Sequence, residues 1–373
     1  YLASRFGRLR VSLWQSPLLY IPRMQPTWDL RRPLRSRADT GDPPDSATVA
    51  QLVADHWGAI DVAVDPDGAI HPRHRMVRVD GVQAFLRVDP GWEGPHPAKH
   101  SVRLVHHLAQ RGAPVPRIRL LRPRVLSLAW NDYTISMETV LLGSSPSARD
   151  LSVLPAAGEN LGRIHQSILD FEPPRSSRPV HAYVRPILQL AAQREALTVR
   201  EPFEALSAHI EANCADVLET DIAWLFCHGD VGCCNVIEDR GHVGYTDFGR
   251  AAYLPALVDL LMPRFRWLMG DTECDRGFLT VSEAAAFIRG YERVRPLTDK
   301  DRAAIPPIWA AYYAEYLSFL WVKWGEARDR GRHGLFEICR RINNLVEEAL
   351  EMGQELVREL DQWNPPAEAI MER

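Results

Sequence analysis

The sequence predicts a protein of the α+β class. A strand and turn pattern in the middle of the chain and a helical pattern in its C-terminal third carry this prediction. The chain has 373 residues, of which 46% are hydrophobic and 25% charged. A chain of this size and composition can bury a sizeable core.

The strand pattern centres on residues 236–246. Short apolar segments lie on both sides of Arg240-Gly241, a dipeptide typical of a turn. These features predict a tight hairpin. A hairpin folds the chain back on itself, so Asn235 before it and Asp247 after it should lie side by side at one end of the ribbon.

The helical pattern lies towards both ends of the chain. Ser46 is the expected N-cap of a short helix that continues through Val49 and Val53. In the C-terminal third, one helix is predicted from about Leu335 to Leu360. Before it, aromatic and apolar residues recur at three- and four-residue steps and predict another helix face: Trp309, Tyr312, Tyr313, Tyr316, Phe319, Leu320 and Trp324.

Three polar residues around the hairpin have the spacing of a phosphoryl-transfer site. Asn235 follows Asp230 by five positions, and Asp247 follows it by seventeen. Such a site needs a base to face the acceptor hydroxyl and oxygen ligands for magnesium, which also draws on phosphate oxygens. Asp230 is the candidate base, and Asn235 and Asp247 are the candidate metal ligands.

The segment from His228 to Leu260 resembles the catalytic region of the aminoglycoside phosphotransferase and choline kinase family. That family shares its bilobal fold with protein kinases, and its pattern is H-G-D-x-x-x-x-N, then D-[WFY]-x-x-A, then D-L. The matching residues occur in the same order: His228, Gly229, Asp230, Asn235, Asp247, Phe248, Ala251, Asp259 and Leu260. The motif is specific as a set. The resemblance implies ATP and Mg²⁺ as cofactors, Asp230 as catalytic base, and His228 and Asp259 as structural braces of the catalytic loop.

The resemblance continues upstream and covers roughly residues 60–265. Residues 83–88 resemble a strand of the nucleotide lobe that carries a phosphate-binding cation, here Arg87. Residues 135–143, which include Met137 and Glu138, resemble the strand and hinge whose backbone receives adenine. Two helices are similar to family helices as well, at residues 102–108 and at residues 161–165.

Two departures from the family pattern concern the nucleotide site. The helix position that would pair an acid with Arg87 holds Ser101, so Asp89 or Glu93 would have to replace that acid. A guanidinium group forks onto phosphate oxygens and depends less on an orienting partner than an ammonium group does. The loop expected to cover the phosphates, residues 67–75, contains a single glycine, and its cations either contact phosphate or form a solvated surface.

Charge and cysteine content limit the possible partners. The net charge of -4 and the pI near 6.4 give no general attraction to nucleic acid or to anionic membranes. Six cysteines in a chain of this length form no disulfide framework. A zinc site is the less favoured interpretation of one group: Cys227, His228, Cys233, Cys234 and His242. The longest apolar stretch, residues 305–322, contains Glu315 and two prolines, so we expect no membrane span and a cytoplasmic protein.

Composition separates residues 1–45 from the rest of the chain, and the resemblance implies that the rest is one two-lobed catalytic unit with additional C-terminal helices. Residues 1–45 form an arm with eight arginines, four prolines before residue 34 and several large apolar residues. Packing on the chain's own nucleotide lobe and docking of a partner protein or acidic peptide both remain open for this arm. Residues 46–142 are the expected nucleotide lobe. Residues 143–373 are the expected catalytic and substrate-binding lobe.

Three functional hypotheses follow. The leading one is transfer of the ATP γ-phosphoryl group to a hydroxyl of a small molecule, such as an antibiotic or a metabolite. The second is a kinase that modifies Ser or Thr of a precursor peptide in natural-product biosynthesis, which the arginine-rich arm favours. The third is a non-catalytic nucleotide-binding scaffold, favoured by Ser101 and the glycine-poor loop but opposed by the presence of Asp230, Asn235 and Asp247.

Overall fold

A computed structural model describes residues 43–64, 74–90, 98–172, 222–268, 278–309 and 342–362. For Pro90 and residues 342–350 it describes the backbone alone. All of these residues belong to one compact unit, residues 42–373. The arm of residues 1–45 therefore lies almost wholly outside the described residues, as do most of the 67–75 loop and residues 310–341.

Helix α1, Ser46–Trp57, opens the described chain. The expectation that Ser46 caps it is wrong by one residue. Asp45 has an extended backbone, and its carboxylate accepts a hydrogen bond from the Thr48 amide at 2.7 Å. Asp45 is therefore the N-cap, because it pairs a first-turn amide that has no partner within the helix. Val49 and Val53 face the sheet core that follows.

The first lobe contains a five-stranded antiparallel sheet. Its strands are β1 (Val62–Val64), β2 (His74–Val79), β3 (Val82–Pro90), β4 (Leu128–Trp130) and β5 (Tyr133–Thr139), in the order β1-β2-β3-β5-β4. One face of the sheet packs with α1 into a small core that includes Ala84, Leu86, Val88, Ile135 and Met137. Because side chains alternate along a strand, residues 85, 87 and 89 of β3 point to the opposite face.

Helix α2, Ala98–Gln110, lies within the range expected for the nucleotide lobe, but its apolar face packs on the larger core. Val102, Leu104, Val105 and Leu108 belong to the larger of the two apolar cores. The helix therefore rests on the second lobe.

The larger core is built from helices and two short antiparallel strand pairs. The elements are α3 (Leu154–Ile168), β6 (Trp224–Cys227), β7 (Val236–Asp239), β8 (His242–Tyr245), β9 (Ala252–Pro255), α4 (Ala256–Arg266), α5 (Val281–Glu292) and α6 (Ile342–Asp361). The hairpin of β7 and β8 around Arg240-Gly241 is confirmed, with Asp239 opposite His242 and positive φ at both turn residues. The pairing of β6 with β9 was not anticipated.

The predicted C-terminal helices are described only in part. Residues 299–309 are helical and bury Trp309, and α6 ends one residue beyond the predicted limit. Residues 310–341 of the predicted helices lie outside the described part. Within the described residues, no helix combines the length and the apolar composition needed to cross a bilayer.

Helices α3 and α5 approach each other through two glycines. A Cβ atom at Gly158 would overlap the carbonyl oxygen of Phe287, and a Cβ atom at Gly290 would overlap that of Pro155. The backbones are therefore too close for any side chain at these two positions. The contact aligns His165 of α3 with Tyr291 of α5, whose polar atoms lie 3.0 Å apart.

We predict that Gly158→Ala destabilises the protein, although alanine is the better helix former. Overlap with a fixed carbonyl group forces the helices apart, which costs about 1 to 3 kcal/mol, whereas the gain in helix propensity is about 1 kcal/mol. Denaturant unfolding monitored by circular dichroism measures the change. Gln166→Ala on the exposed side of α3 is the control, and equal stability of the two variants would contradict the packing argument.

Candidate active site

The catalytic loop is anchored by the carboxylate of Asp259, in the first turn of α4. Asp259 is fully buried, and its two oxygens accept the backbone amides of His228 at 2.7 Å and Gly229 at 2.8 Å. Burial acts to raise the pKa of Asp259, but His165, His228 and the Gly229 amide outweigh it and lower that pKa. The contact that the family resemblance implied for Asp259 is therefore present.

A chain of hydrogen bonds connects Asp259 to helix α5. His165 Nε2 lies 3.1 Å from Asp259 Oδ2, and its Nδ1 lies 3.0 Å from the Tyr291 hydroxyl. Arg295 donates to the same hydroxyl at 2.9 Å. Burial lowers the pKa of His165. A neutral ring can donate from Nε2 to the Asp259 carboxylate and accept at Nδ1 from the Tyr291 hydroxyl, so each of these groups has a hydrogen-bond partner.

His228 and Gly229 shape the loop before the candidate base. The His228 ring is buried and contacts the Thr246 carbonyl oxygen at 2.8 Å through Nε2, while its Nδ1 accepts the Asp230 amide at 3.2 Å. Gly229 has φ of 76°, and a Cβ atom there would overlap the carbonyl oxygen of Arg250. Only glycine combines this conformation with this close approach.

The carboxylate of Asp230 lies between two arginines. Arg266 Nη1 donates to Oδ1 of Asp230, and Arg250 Nε lies 3.9 Å from Oδ2. Neither cation was predicted from the sequence. The i, i+3, i+7 spacing of Asp259, Met262 and Arg266 places them on one face of α4. From this face, Met262 Sδ accepts the Val231 amide at 2.9 Å. That spacing was the signal that could have identified Arg266.

Asn235 contacts Asp230 within the catalytic loop, a contact that the hairpin did not predict. Its Nδ2 donates to the Asp230 carbonyl oxygen at 2.8 Å, and its own carbonyl oxygen accepts the Thr246 amide at 2.9 Å. The first bond fixes the orientation of the side-chain amide. The other atom of the amide, Oδ1, is the one that could bind a cation, and it does not take part in the hydrogen bond to Asp230.

Asp247 follows the hairpin in a left-handed conformation, with φ of 58°. Such a backbone is uncommon for a residue other than glycine and concentrates at functional sites. The carboxylate accepts the Gly249 amide at 3.3 Å and contacts Arg87 Nη1 at 2.8 Å. Burial opposes ionisation, yet Arg87 keeps the pKa of Asp247 below its ordinary value, so the group is a carboxylate at neutral pH.

Arg87 is buried on the face of β3 that points away from the small core, the cleft face, and contacts three acids. Its Nε and Nη2 lie 3.1 Å and 3.4 Å from the Asp89 carboxylate, and its Nε lies 3.9 Å from Glu138. Asp247 is the third. Asp89 thus supplies the partner that position 101 of α2 does not, whereas Glu93 lies outside the described residues.

Met137 and Glu138 lie side by side in β5 but face opposite ways. Glu138 is opposite Phe85 of β3 and therefore shares the face of Arg87, whereas Met137 is fully buried in the small core. The Met137 carbonyl oxygen accepts the Arg119 amide at 2.8 Å. The strand ends at Thr139 and is followed by Val140 and by the strongly exposed Leu142.

The residues of the zinc interpretation do not come together as a metal site in the described structure. The group of buried metal-ligand types is instead His165, Cys227 and Asp259. Cys227 Sγ lies 3.5 Å from the Leu254 carbonyl oxygen, and burial raises the pKa of its thiol well above the ordinary range. Because Asp259 and His165 also have hydrogen-bond partners, this group is a structural network.

Glu138 leads to a pH-dependent prediction. Burial raises its pKa to about 7, with Arg87 opposing this shift and Asp89 and Asp247 adding to it. Its folded-state pKa exceeds the unfolded value of about 4.3, so its contribution to stability is present below that value and is lost as pH rises through 7. Relative to wild type, Glu138→Gln should gain on the order of 1 to 3 kcal/mol between pH 5 and pH 8. Thermal unfolding across this range measures the difference, and a flat or falling difference would contradict the prediction.

Comparisons with known proteins place this geometry in context. Residues 61–297 match the model of the phosphotransferase enzyme family. A homoserine kinase of Rhodospirillum rubrum is 31% identical over 209 residues, which cover 54% of this chain and 62% of that protein. An uncharacterized protein of Deinococcus radiodurans is 28% identical over 260 residues, which cover 66% of this chain and 72% of that protein. The chain spans about six tenths of the length of the homoserine kinases that it matches.

Solved structures show the same fold. An amicoumacin kinase in complex with AMP-PNP and Ca²⁺ aligns with a TM-score of 0.57 at 14% identity and covers 85% of this chain and 94% of its own. A choline/ethanolamine kinase family protein of Mesorhizobium loti gives a TM-score of 0.57 at 13% identity, with 83% and 98% covered. These likenesses confirm the predicted kinase-like fold. Since the family model matches well over half of the residues, the chain belongs to the phosphotransferase enzyme family.

Proposed function

We propose that the protein transfers the γ-phosphoryl group of ATP to a hydroxyl group of a small molecule. The observation that carries this proposal is the arrangement of Asp230, Asn235, Asp247 and Arg87 around one loop and one hairpin. A phosphoryl transfer needs few protein groups beyond a base, ligands for a divalent cation and a cation for the phosphates. The four residues have the chemistry of those groups.

Asn235 and Asp247 suit a magnesium ion by their donor atoms. The amide oxygen of Asn235 is oriented by the bond from its nitrogen to Asp230, and Asp247 offers an ionised, half-exposed carboxylate. Oxygen ligands from one or two residues, completed by phosphate and water, are the usual environment of Mg²⁺ in proteins. When bound, the ion supplies neutralisation of the charge that develops on the phosphates.

Asp230 is the proposed base. Arg266 fixes one carboxylate oxygen, and the other oxygen lies on the side of Arg250, whose side chain is half exposed. A carboxylate held in one orientation can accept the hydroxyl proton of an acceptor as the oxygen attacks phosphorus. Arg250 is placed to interact with the same reacting groups.

Met137 and Glu138 remain the proposed hinge for adenine, with the nucleotide base next to the end of β5. The exposed residues that follow Thr139 are compatible with a ligand along this edge. Arg87 on the same cleft face is the proposed contact for the phosphates. The two proposed contacts lie on adjacent strands of one sheet.

A small acceptor that carries an anionic group agrees best with the charges beside the base. Two guanidinium groups lie close to Asp230, which disfavours a polycationic aminoglycoside and favours an acceptor with a carboxylate. Several related proteins are homoserine kinases, and homoserine has both a hydroxyl and a carboxylate. Homoserine is therefore the first acceptor to test.

A precursor peptide stays the alternative acceptor, and the arm of residues 1–45 its proposed recognition element. A scaffold without activity is the third possibility. Incubation with ATP, magnesium and a mixed pool of homoserine, choline, antibiotics and Ser/Thr peptides, followed by mass spectrometry, separates the three. A phosphate adduct on a small molecule supports the proposal, an adduct on a peptide supports the alternative, and no adduct on any acceptor supports the scaffold.

Asp230→Asn should reduce phosphoryl transfer by roughly a hundredfold or more while nucleotide affinity stays nearly unchanged. The substitution removes the proton acceptor but no group that we assign to the nucleotide. Steady-state kinetics and calorimetry measure the two quantities. Glu159→Gln, at an exposed ion pair on α3, is the control, and near-normal turnover of Asp230→Asn would remove Asp230 from the mechanism.

Asp247→Ala should abolish the magnesium-dependent part of ATP binding, because it deletes the proposed carboxylate ligand. Binding in the presence of EDTA should persist, since Arg87 retains its place in β3. Calorimetric titration with ATP, with and without Mg²⁺, distinguishes the two contributions. If magnesium still improved ATP affinity as it does in wild type, the assignment of Asp247 would be wrong.

A further inference from the structure

The guanidinium group of Arg87 divides its nitrogens between different partners. Nε and Nη2 face Asp89 at 3.1 Å and 3.4 Å, and Nε also faces Glu138 at 3.9 Å. Nη1 faces Asp247 at 2.8 Å. One edge of the group is therefore held by acids of the sheet, and the other edge by the proposed metal ligand.

The acids of the sheet are fixed by strand geometry. Asp89 follows Arg87 by two positions in β3, so both side chains point to the same face. Glu138 reaches that face from the neighbouring strand β5. His74 of β2 contacts the Asp89 carboxylate at 3.2 Å, so three adjacent strands contribute to the position of Arg87.

Helix α2 supplies no charge for this purpose at position 101. Ser101 is buried, and its hydroxyl group cannot form an ion pair with a guanidinium group. The apolar residues of α2 pack on the larger core, away from the small core of the sheet. Asp89 and Glu138, the two partners of Arg87 in the sheet, belong to β3 and β5 and not to α2.

We propose that Asp89 and Glu138 are positioning residues that hold Arg87 ready for the phosphates of the nucleotide without participation of α2. The inference rests on the proposed function. Nη1 is the nitrogen that can exchange Asp247 for a phosphate oxygen, because Nε and Nη2 keep their partners in β3 and β5. Asp89 contributes more than Glu138 to the position of Arg87, since Asp89 accepts two hydrogen bonds from Arg87 and Glu138 accepts none.

Calorimetric titration with ATP in EDTA tests this role apart from catalysis and metal binding. Asp89→Asn should weaken ATP binding roughly tenfold, the lower end of the loss seen when a partner that orients a metal ligand is removed, and Glu138→Gln should weaken it less. Removal of a negative charge by itself would have the opposite effect and tighten the binding of a polyphosphate. Asp80→Asn is the matched control, because Asp80 lies in the β2–β3 turn of the same sheet and caps the amides of Ile60 and Asp61.

A double-mutant cycle shows whether the effect passes through Arg87. In an Arg87→Gln background, Asp89→Asn should cause no further loss of affinity. Equal losses in both backgrounds, or ATP binding by Asp89→Asn as tight as in wild type, would overturn the inference. Thermal unfolding of each variant verifies that it is folded. A wild-type protein that binds ATP but phosphorylates no acceptor would contradict the proposed function alone, and one that binds no ATP would contradict both.

Discussion

The structure of the site depends on one buried carboxylate, that of Asp259. A charge in the interior is stable only where hydrogen bonds compensate for the lost water, and here two backbone amides and the His165 ring do so. The amides belong to the two residues that precede Asp230. The compensation that permits the buried charge therefore also fixes the start of the catalytic loop, so stability and site geometry have the same origin.

The charges of the cleft alternate in sign from the sheet to the catalytic loop. Asp89 and Glu138 lie beside Arg87, Arg87 beside Asp247, and Arg266 beside Asp230. Each acid that we assign to chemistry is thus paired with a cation before any ligand binds. Such pairs hold the carboxylates in fixed orientations, so that the site needs little rearrangement when substrates arrive.

Sequence reasoning identified the parts of the site that depend on local order along the chain. The hairpin could be predicted because turn residues and strand residues alternate within a dozen positions, and the expectation that Asn235 and Asp247 lie side by side followed from it. Contacts between distant segments were harder to predict. The pairing of β6 with β9 joins residues 25 or more positions apart, and nothing in the short apolar runs specifies that partner.

The missed or shifted details have similar physical causes. Asp45 and Ser46 are both good caps, so only the extended backbone of Asp45 decides between them. The side chain of Glu138 faces Arg87 because of the register between β3 and β5, and the sequence does not contain that register. Arg266 could have been identified from its helical spacing to Asp259, but only once α4 was known to run past the catalytic loop.

The close contact of α3 and α5 has a consequence for how variants of this protein are interpreted. Gly158 and Gly290 are far in sequence from the catalytic loop, yet they set the distance between the helices that carry His165 and Tyr291. If a library of variants were ranked by turnover alone, substitutions at these glycines would look the same as substitutions of the reacting residues. Only measurements of folding and turnover on the same variants would show that the defect arises from steric separation of two helices.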